Sequence, residues 1–245
     1  MIETSRRRLL TGAGAIGVAG ALKGTGALAQ GSGQHAHHSA PMPRARNLSP
    51  DQALELLREG NRAFLAGEID REPSSARQRL ELAKGQEPFA AYVTCSDSRV
   101  PPELLFGRGL GELFIIRNAG NTVDTVAMGS IEYAVAILKV PLVVVMGHES
   151  CGAVDAAAKV VSDNATFPGS IGPMIEPIIP AVLSVRDKPG DPLTNAVQAN
   201  VSRVVKGLRE NADPILLEPQ ERGEVKVVGA YYSLQRGTVD FFDMP

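Results

Sequence analysis

Apolar residues along this chain recur in two rhythms that alternate. Ala53, Leu54, Leu57, Phe64 and Leu65 follow the three-to-four spacing of an amphipathic helix that closes at Gly67. Ser49-Pro50-Asp51-Gln52 opens that helix, with Ser49 as N-cap, Pro50 in the first turn and Gln52 at the capping-box position. A second helix is expected over 74–84, ending at Gly85. Short continuous apolar runs then occupy 89–94, 112–117, 140–146 and 225–232. Set between helical segments, such runs predict parallel strands, and the run 140–146 reads as a central one buried on both faces.

Helices are expected from Val100 (a short one opened by Pro101 and Pro102), from the turn 118–121 to about Leu138, and from Cys151 to about Asp163. A loop is expected over 164–173, followed by helices over 175–185, 192–210 and 213–222. Val239-Asp240-Phe241-Phe242, after Gln235-Arg236-Gly237, predicts a hairpin return at the sheet edge. The fold class predicted is α/β: a mostly parallel central β-sheet flanked by helices, with an antiparallel edge strand near the C-terminus.

Composition adds two boundaries. With 245 residues, 44% hydrophobic and 21% charged, the chain is long and apolar enough for one substantial domain, placed here at 49–245. A formal charge of −2 offers no basic face, so no nucleic-acid partner is expected.

The N-terminus stands apart. Ser5-Arg6-Arg7-Arg8-Leu9-Leu10 is a twin-arginine pattern, followed by a weakly hydrophobic Gly/Ala-rich run and the cleavage-like Ala27-Leu28-Ala29. Residues 1–29 are therefore expected to be a signal peptide that directs export, with a periplasmic or otherwise exported location. Lys23 and the glycines make the run a poor span, so no stable membrane insertion is expected after processing. Residues 1–29 carry four basic side chains against one acidic, so their removal takes the formal charge from −2 to −5. Residues 30–48 read as a flexible segment whose His35, His37 and His38 are either a solvated tail or a loose metal-binding cluster.

Two short pieces carry the candidate chemistry. Cys95-Ser96-Asp97-Ser98-Arg99 and His148-Glu149-Ser150-Cys151 each follow an apolar strand, where parallel sheets build their sites. Both cysteines of the chain are here, and so is the one histidine outside 35–38. Two thiolates, an imidazole and a fourth position for a carboxylate or water suit Zn2+. A disulfide is the competing reading for two cysteines in an exported protein, but it leaves Asp97, Arg99 and His148 unexplained. Ligands drawn from two strand ends, not from paired knuckles, favour a catalytic zinc, which brings bound water towards neutral pKa. An Arg99 fork would hold the Asp97 carboxylate ionised, either on the metal or as an acceptor beside it.

Cys95-Ser-Asp-Ser-Arg-Val100 with Gly147-His-Glu-Ser-Cys-Gly152 resembles the β-class carbonic anhydrases. The similarity runs from about Gln52 to Phe242 and includes Gly111-Glu-Leu-Phe-Ile-Ile-Arg-Asn-Ala-Gly120, Gly129-Ser-Ile-Glu-Tyr-Ala-Val135 and Lys226-Val-Val-Gly-Ala-Tyr-Tyr232. The resemblance implies zinc on Cys95, His148 and Cys151. It makes Asp97 the fourth ligand in a closed resting form and the hydroxide-orienting partner in the active form, paired with Arg99. It implies reversible hydration of carbon dioxide to bicarbonate and a proton by attack of zinc-bound hydroxide.

By the same resemblance, Gln86 reaches a neighbouring subunit's site, and Phe114, Ala119 and Tyr133 line an apolar substrate pocket. A homodimer or homotetramer is implied. A regulated subtype usually carries tryptophan three residues before the first cysteine; Tyr92 stands there, so that regulation is not expected. Two rival functions stand beside this one: a carbonyl sulfide or carbon disulfide hydrolase on the same scaffold, and a non-enzymatic exported zinc-binding protein.

Overall fold

The computed structural model describes residues 48–68 and 76–245. The expected signal peptide 1–29, the histidines at 35, 37 and 38, and the start of the second expected helix lie outside the described residues.

Helix α1, Pro50–Ala66, forms as its signals dictate. The Ser49 hydroxyl accepts from the Gln52 N–H, the Gln52 side chain accepts from the Ser49 N–H, and Gly67 ends the helix in the left-handed region at φ 70°. Helix α2, Ala76–Leu82, is shorter than expected within the described residues. Strand β1, Ala90–Cys95, is followed by the single turn α3, Pro102–Leu105, and by β2, Leu113–Asn118. Next come α4, Thr125–Ala136, β3, Leu142–His148, and α5, Gly152–Asp163. Each apolar run thus becomes a strand, and two of the three expected ligands are the last residues of their strands.

The expected loop over 164–173 ends three residues early. Helix α6, Ile171–Ile175, begins inside it and continues through a 3-10 turn, Glu176–Ile178, into α7, Ile179–Ser184. Pro173 reads as a breaker, but it stands in the first turn of α6, where its missing N–H leaves no bond unmade. Pro177 and Pro180 cannot donate to the carbonyls four residues back, so the rod tightens between them. Helices α8, Pro192–Arg209, and α9, Pro214–Glu221, are each capped by an aspartate, and the strands β4, Lys226–Tyr232, and β5, Val239–Asp243, complete the chain.

The sheet has the order β2-β1-β3-β4-β5. The first four strands are parallel, and β5 runs antiparallel to β4, as expected. Side chains of β1, β3 and β4 feed two cores. Tyr92, Val144, Met146 and Val228 pack with α1, α3 and α5, while Val93, Val143, Val145 and Val227 pack with α4, α8 and α9. Strands β1 and β3 are buried at every residue, which explains their unbroken apolar runs. Among the described residues no helix is long and apolar enough to cross a membrane.

Candidate metal centre

From β1 the chain moves outward to β2, and from β3 it moves outward in the other direction to β4. The loops after β1 and β3 therefore diverge, and a crevice opens at this switch point between neighbouring strands. Cys95 ends β1 and His148 ends β3. Ser150, in the left-handed region at φ 56°, turns the chain back, so that Cys151 becomes the N-cap of α5. The ligand atoms of Cys95, His148 and Cys151 then lie within 4.8 Å of one another, and all three residues are buried.

The chemistry of this triangle fits a metal. The two sulfurs are 4.0 Å apart and both cysteines are free, so the disulfide reading fails in this geometry. Two thiolates at about 2.3 Å from a tetrahedral ion would be about 3.8 Å apart, close to the separation seen. His148 Nδ1 donates to the Glu149 carbonyl at 2.8 Å, which leaves the lone pair on Nε2. Nε2 is buried without any hydrogen-bond partner. A cation is the partner that satisfies such an atom without a further donor.

The thiols are already polarised for it. The Cys151 thiol donates to Cys95, and with the Gly120 N–H it pushes the Cys95 thiol down to about 4. That charge, together with burial, pushes Cys151 up, while the N–H groups of Val154 and Ala153 at the start of α5 work the other way. An incoming cation would displace the proton that the Cys151 thiol donates to Cys95.

Asp97 stands at the rim, and Arg99 holds it with a fork. Oδ1 accepts from the Arg99 N–H and Nε, both at 2.9 Å, and Oδ2 accepts from Nη2 at 2.7 Å. This fork keeps the Asp97 carboxyl well below the usual carboxylate range. Oδ2 lies 4.0 Å from His148 Nε2, so its remaining lone pair is on the side of the triangle.

Three residues matter here to which the sequence reading assigns no role. Arg117 of β2 donates from Nε to the Cys95 carbonyl at 2.9 Å and from Nη2 to the Asp97 carbonyl at 2.6 Å, bracing the loop that carries both. Glu149 accepts from Ser233 Oγ at 2.9 Å and the Gln235 N–H at 3.1 Å, tying the ligand loop to the β4–β5 hairpin. Asn200 of α8 donates to the Gly120 carbonyl at 2.9 Å.

The four expected substrate residues do not gather round the triangle within one chain. Ala119 does, because the next residue's N–H bonds to Cys95 Sγ at 3.5 Å. Gln86 is exposed just before β1, whereas Cys95 ends it, so about 17 Å of strand or more separates them. Phe114 pairs in register with Ala91, about 13 Å along the sheet from Cys95. Tyr133 stacks on Phe114, ring centres 6.1 Å apart, and is half exposed.

Known proteins share this scaffold. The carbonic anhydrase family model matches residues 90–239. Carbonic anhydrase 2 of Mycobacterium tuberculosis is 39% identical over 191 residues, covering 78% of this chain and 92% of that protein. The carbonic anhydrase of Mycolicibacterium smegmatis is 36% identical, covering 79% and 94%. Among solved structures, a tetrameric β-carbonic anhydrase from Sordaria macrospora superposes with a TM-score of 0.62 at 27% identity, covering 77% of this chain and 96% of that one. The chain belongs to the carbonic anhydrase family, in its β-class. It is therefore an enzyme of the lyase type, with a Cys-His-Cys group suited to a metal.

Proposed function

We propose that the chain catalyses the reversible hydration of carbon dioxide to bicarbonate and a proton, with zinc held by Cys95, His148 and Cys151. The observation that carries this reading is the buried, unpartnered Nε2 of His148 beside two free thiols 4.0 Å apart. Zinc, when bound, supplies the Lewis acidity that makes a hydroxide nucleophile available near neutral pH.

The chain's own residues supply the rest. Arg99 fixes and ionises Asp97, and the free lone pair of Oδ2 orders a nucleophilic O–H at the rim of the triangle. His148 Nδ1–H on the Glu149 carbonyl holds the imidazole in the tautomer that presents Nε2. His148 is the one histidine among the described residues and it serves as a ligand, so the released proton passes to solvent or buffer.

Stopped-flow hydration with metal analysis tests the reading. The wild type should carry about one zinc per chain and hydrate carbon dioxide, and Cys95→Ser should lose both. A zinc-loaded wild type that turns over carbonyl sulfide or carbon disulfide but not carbon dioxide would replace this reading by the hydrolase. Zinc lost on deleting residues 30–40, and kept in Cys95→Ser, would replace it by the zinc-binding protein.

A second copy completing the site is favoured by the placement of Gln86 and Phe114, each more than ten ångströms from Cys95 in its own chain. The expectation is a homodimer or homotetramer in which these side chains serve a partner. Mixed oligomers of Cys95→Ser and Gln86→Ala chains should then regain activity that neither variant shows alone. Export through residues 1–29 belongs to the same proposal. Replacing Arg6 and Arg7 by lysine should retain the protein in the cytoplasm, and unchanged fractionation would reject the signal.

A further inference from the structure

The turn after β2 is held by a helix 80 residues further along the chain. Asn200 of α8 is 1% exposed, and its Nδ2 donates to the Gly120 carbonyl at 2.9 Å. The N–H of the same Gly120 donates to Cys95 Sγ at 3.5 Å. Gly120 and Asn121 are consecutive left-handed residues, at φ 83° and 46°. For Asn121 that conformation costs energy and persists only where the surroundings impose it.

Asn121 does not impose it itself, because both polar atoms of its buried side chain lack partners. Packing leaves Gly120 little freedom on one side: a Cβ there would lie 2.6 Å from Ile178 Cδ1 and 3.1 Å from Ala153 Cβ. Asn118 fixes the flank of the turn through the Thr122 carbonyl at 2.7 Å. Asn200 is the side chain that holds the Gly120 carbonyl, on the peptide unit whose N–H, that of Asn121, donates to the Asn118 carbonyl at 3.3 Å; together they set Gly120 against the preceding unit, whose N–H reaches Cys95.

We propose that Asn200 is a positioning residue for the metal centre. By holding the Gly120 carbonyl it keeps the Gly120 N–H on the Cys95 sulfur and so limits the charge that this thiolate gives to a bound metal. The inference rests on the reading that Cys95 is a metal ligand. Two thiolates and a neutral imidazole would cancel the charge of a divalent ion and weaken it as a Lewis acid. A donor on one sulfur draws charge back, as outer hydrogen bonds do at other thiolate-bound metals.

Cobalt(II) in place of zinc reads this directly, because sulfur-to-cobalt charge transfer reports how strongly the thiolates donate. The wild type should show that band, and Cys95→Ser should lose much of it; a wild type without the band would overturn the metal reading and this inference together. Asn200→Leu has a similar shape and no donor. It should move the band to lower energy, because a thiolate freed of its donor gives more charge to the metal. Val205→Ala, buried on the same helix and away from the turn, is the control for general destabilisation and should leave the band in place. A folded Asn200→Leu protein with an unshifted band overturns the proposal while leaving the ligand assignment intact. Should that variant fail to fold, the cadmium-113-loaded wild type decides. Scalar coupling between the metal and the Gly120 amide proton, carried through the sulfur, is expected, and its absence refutes the proposal.

Discussion

Asp97→Asn separates the chemistry of the rim from the fold. In the wild type Oδ1 already accepts two hydrogen bonds from Arg99, and Oδ2 accepts one. A carboxylate oxygen has two lone pairs, so Oδ1 is saturated and Oδ2 keeps one acceptor site, on the side of His148 Nε2. An asparagine can copy half of this. With its oxygen at the Oδ1 position, its amide nitrogen faces the Arg99 Nη2 donor and presents a donor to the site. Flipped, its oxygen faces the site, but its nitrogen meets the Arg99 N–H and Nε. In both arrangements the charge is lost and a donor opposes a donor. The stability cost should be small, because Arg99 is more than half exposed and such ion pairs contribute little. The catalytic cost should be about 100- to 10,000-fold in kcat, the worth of a positioned proton acceptor. Stopped-flow hydration on protein of verified zinc content and melting temperature measures both. Turnover within about threefold of wild type at full zinc occupancy, where 100-fold is the least that a lost acceptor should cost, would refute the role given to Asp97.

Other consequences follow from the same contacts. Helix propensity alone would make Gly60→Ala in α1 stabilising by about 1 kcal/mol, but a Cβ there lies 2.8 Å from the carbonyl carbon of Phe106 and closer still to its oxygen. The sign should reverse to a loss of about 1–3 kcal/mol in denaturant titrations, and a gain would show that α1 is not pinned against α3. Asp97 has a lowered folded-state pKa, so its contribution to stability is complete above the unfolded value of 3.8 and is lost only as pH falls through the depressed folded value. Its carboxyl carbon should therefore show no NMR titration from about pH 5 to pH 9, far above the carboxylate range; a midpoint in that window would contradict the fork. Glu149→Ala should speed hydrogen exchange at the Gln235 amide and leave zinc content unchanged, since His148 is held by the backbone of Glu149 and not by its side chain. Loss of zinc in that variant would reverse this assignment.

The candidate ligand triangle was legible because apolar runs with nothing else to explain them end at Cys95 and just before Cys151. A run buried on both faces fixes the strand, the strand fixes its carboxyl end, and both cysteines of the chain sit at or just beyond such an end, beside His148. The Asp97–Arg99 pair was legible for a different reason: its partners are two residues apart, so local geometry suffices. Asn200, Arg117 and the side chain of Glu149 act across 80, 20 and 84 residues on backbone groups or a lone hydroxyl. No periodicity marks such a role, because an asparagine inside an amphipathic helix looks like an interruption of its apolar face. Pro173 misled in the opposite direction, since a proline in a first turn and a proline in a loop look alike until the helix start is known.

The two halves of the site answer to different parts of the fold. Cys95, His148 and Cys151 come from neighbouring strands and a helix start, and His148 and Cys151 have no exposed surface. Their geometry exists only while β1, β3 and α5 are packed, so agents that loosen the core should release the metal along with the structure. Asp97, mostly covered, and the more exposed Arg99 stand on one short loop, braced by the Arg117 guanidinium, by the Val100 N–H on the Asp97 carbonyl and by the Ser96 N–H on the Asn118 carbonyl. This half can change its hydrogen bonds without moving a strand. Asp97 Oδ2 stands 4.0 Å from His148 Nε2 on this adjustable half while the triangle is held by buried strands, which is the division of labour that the acceptor role proposed for it requires.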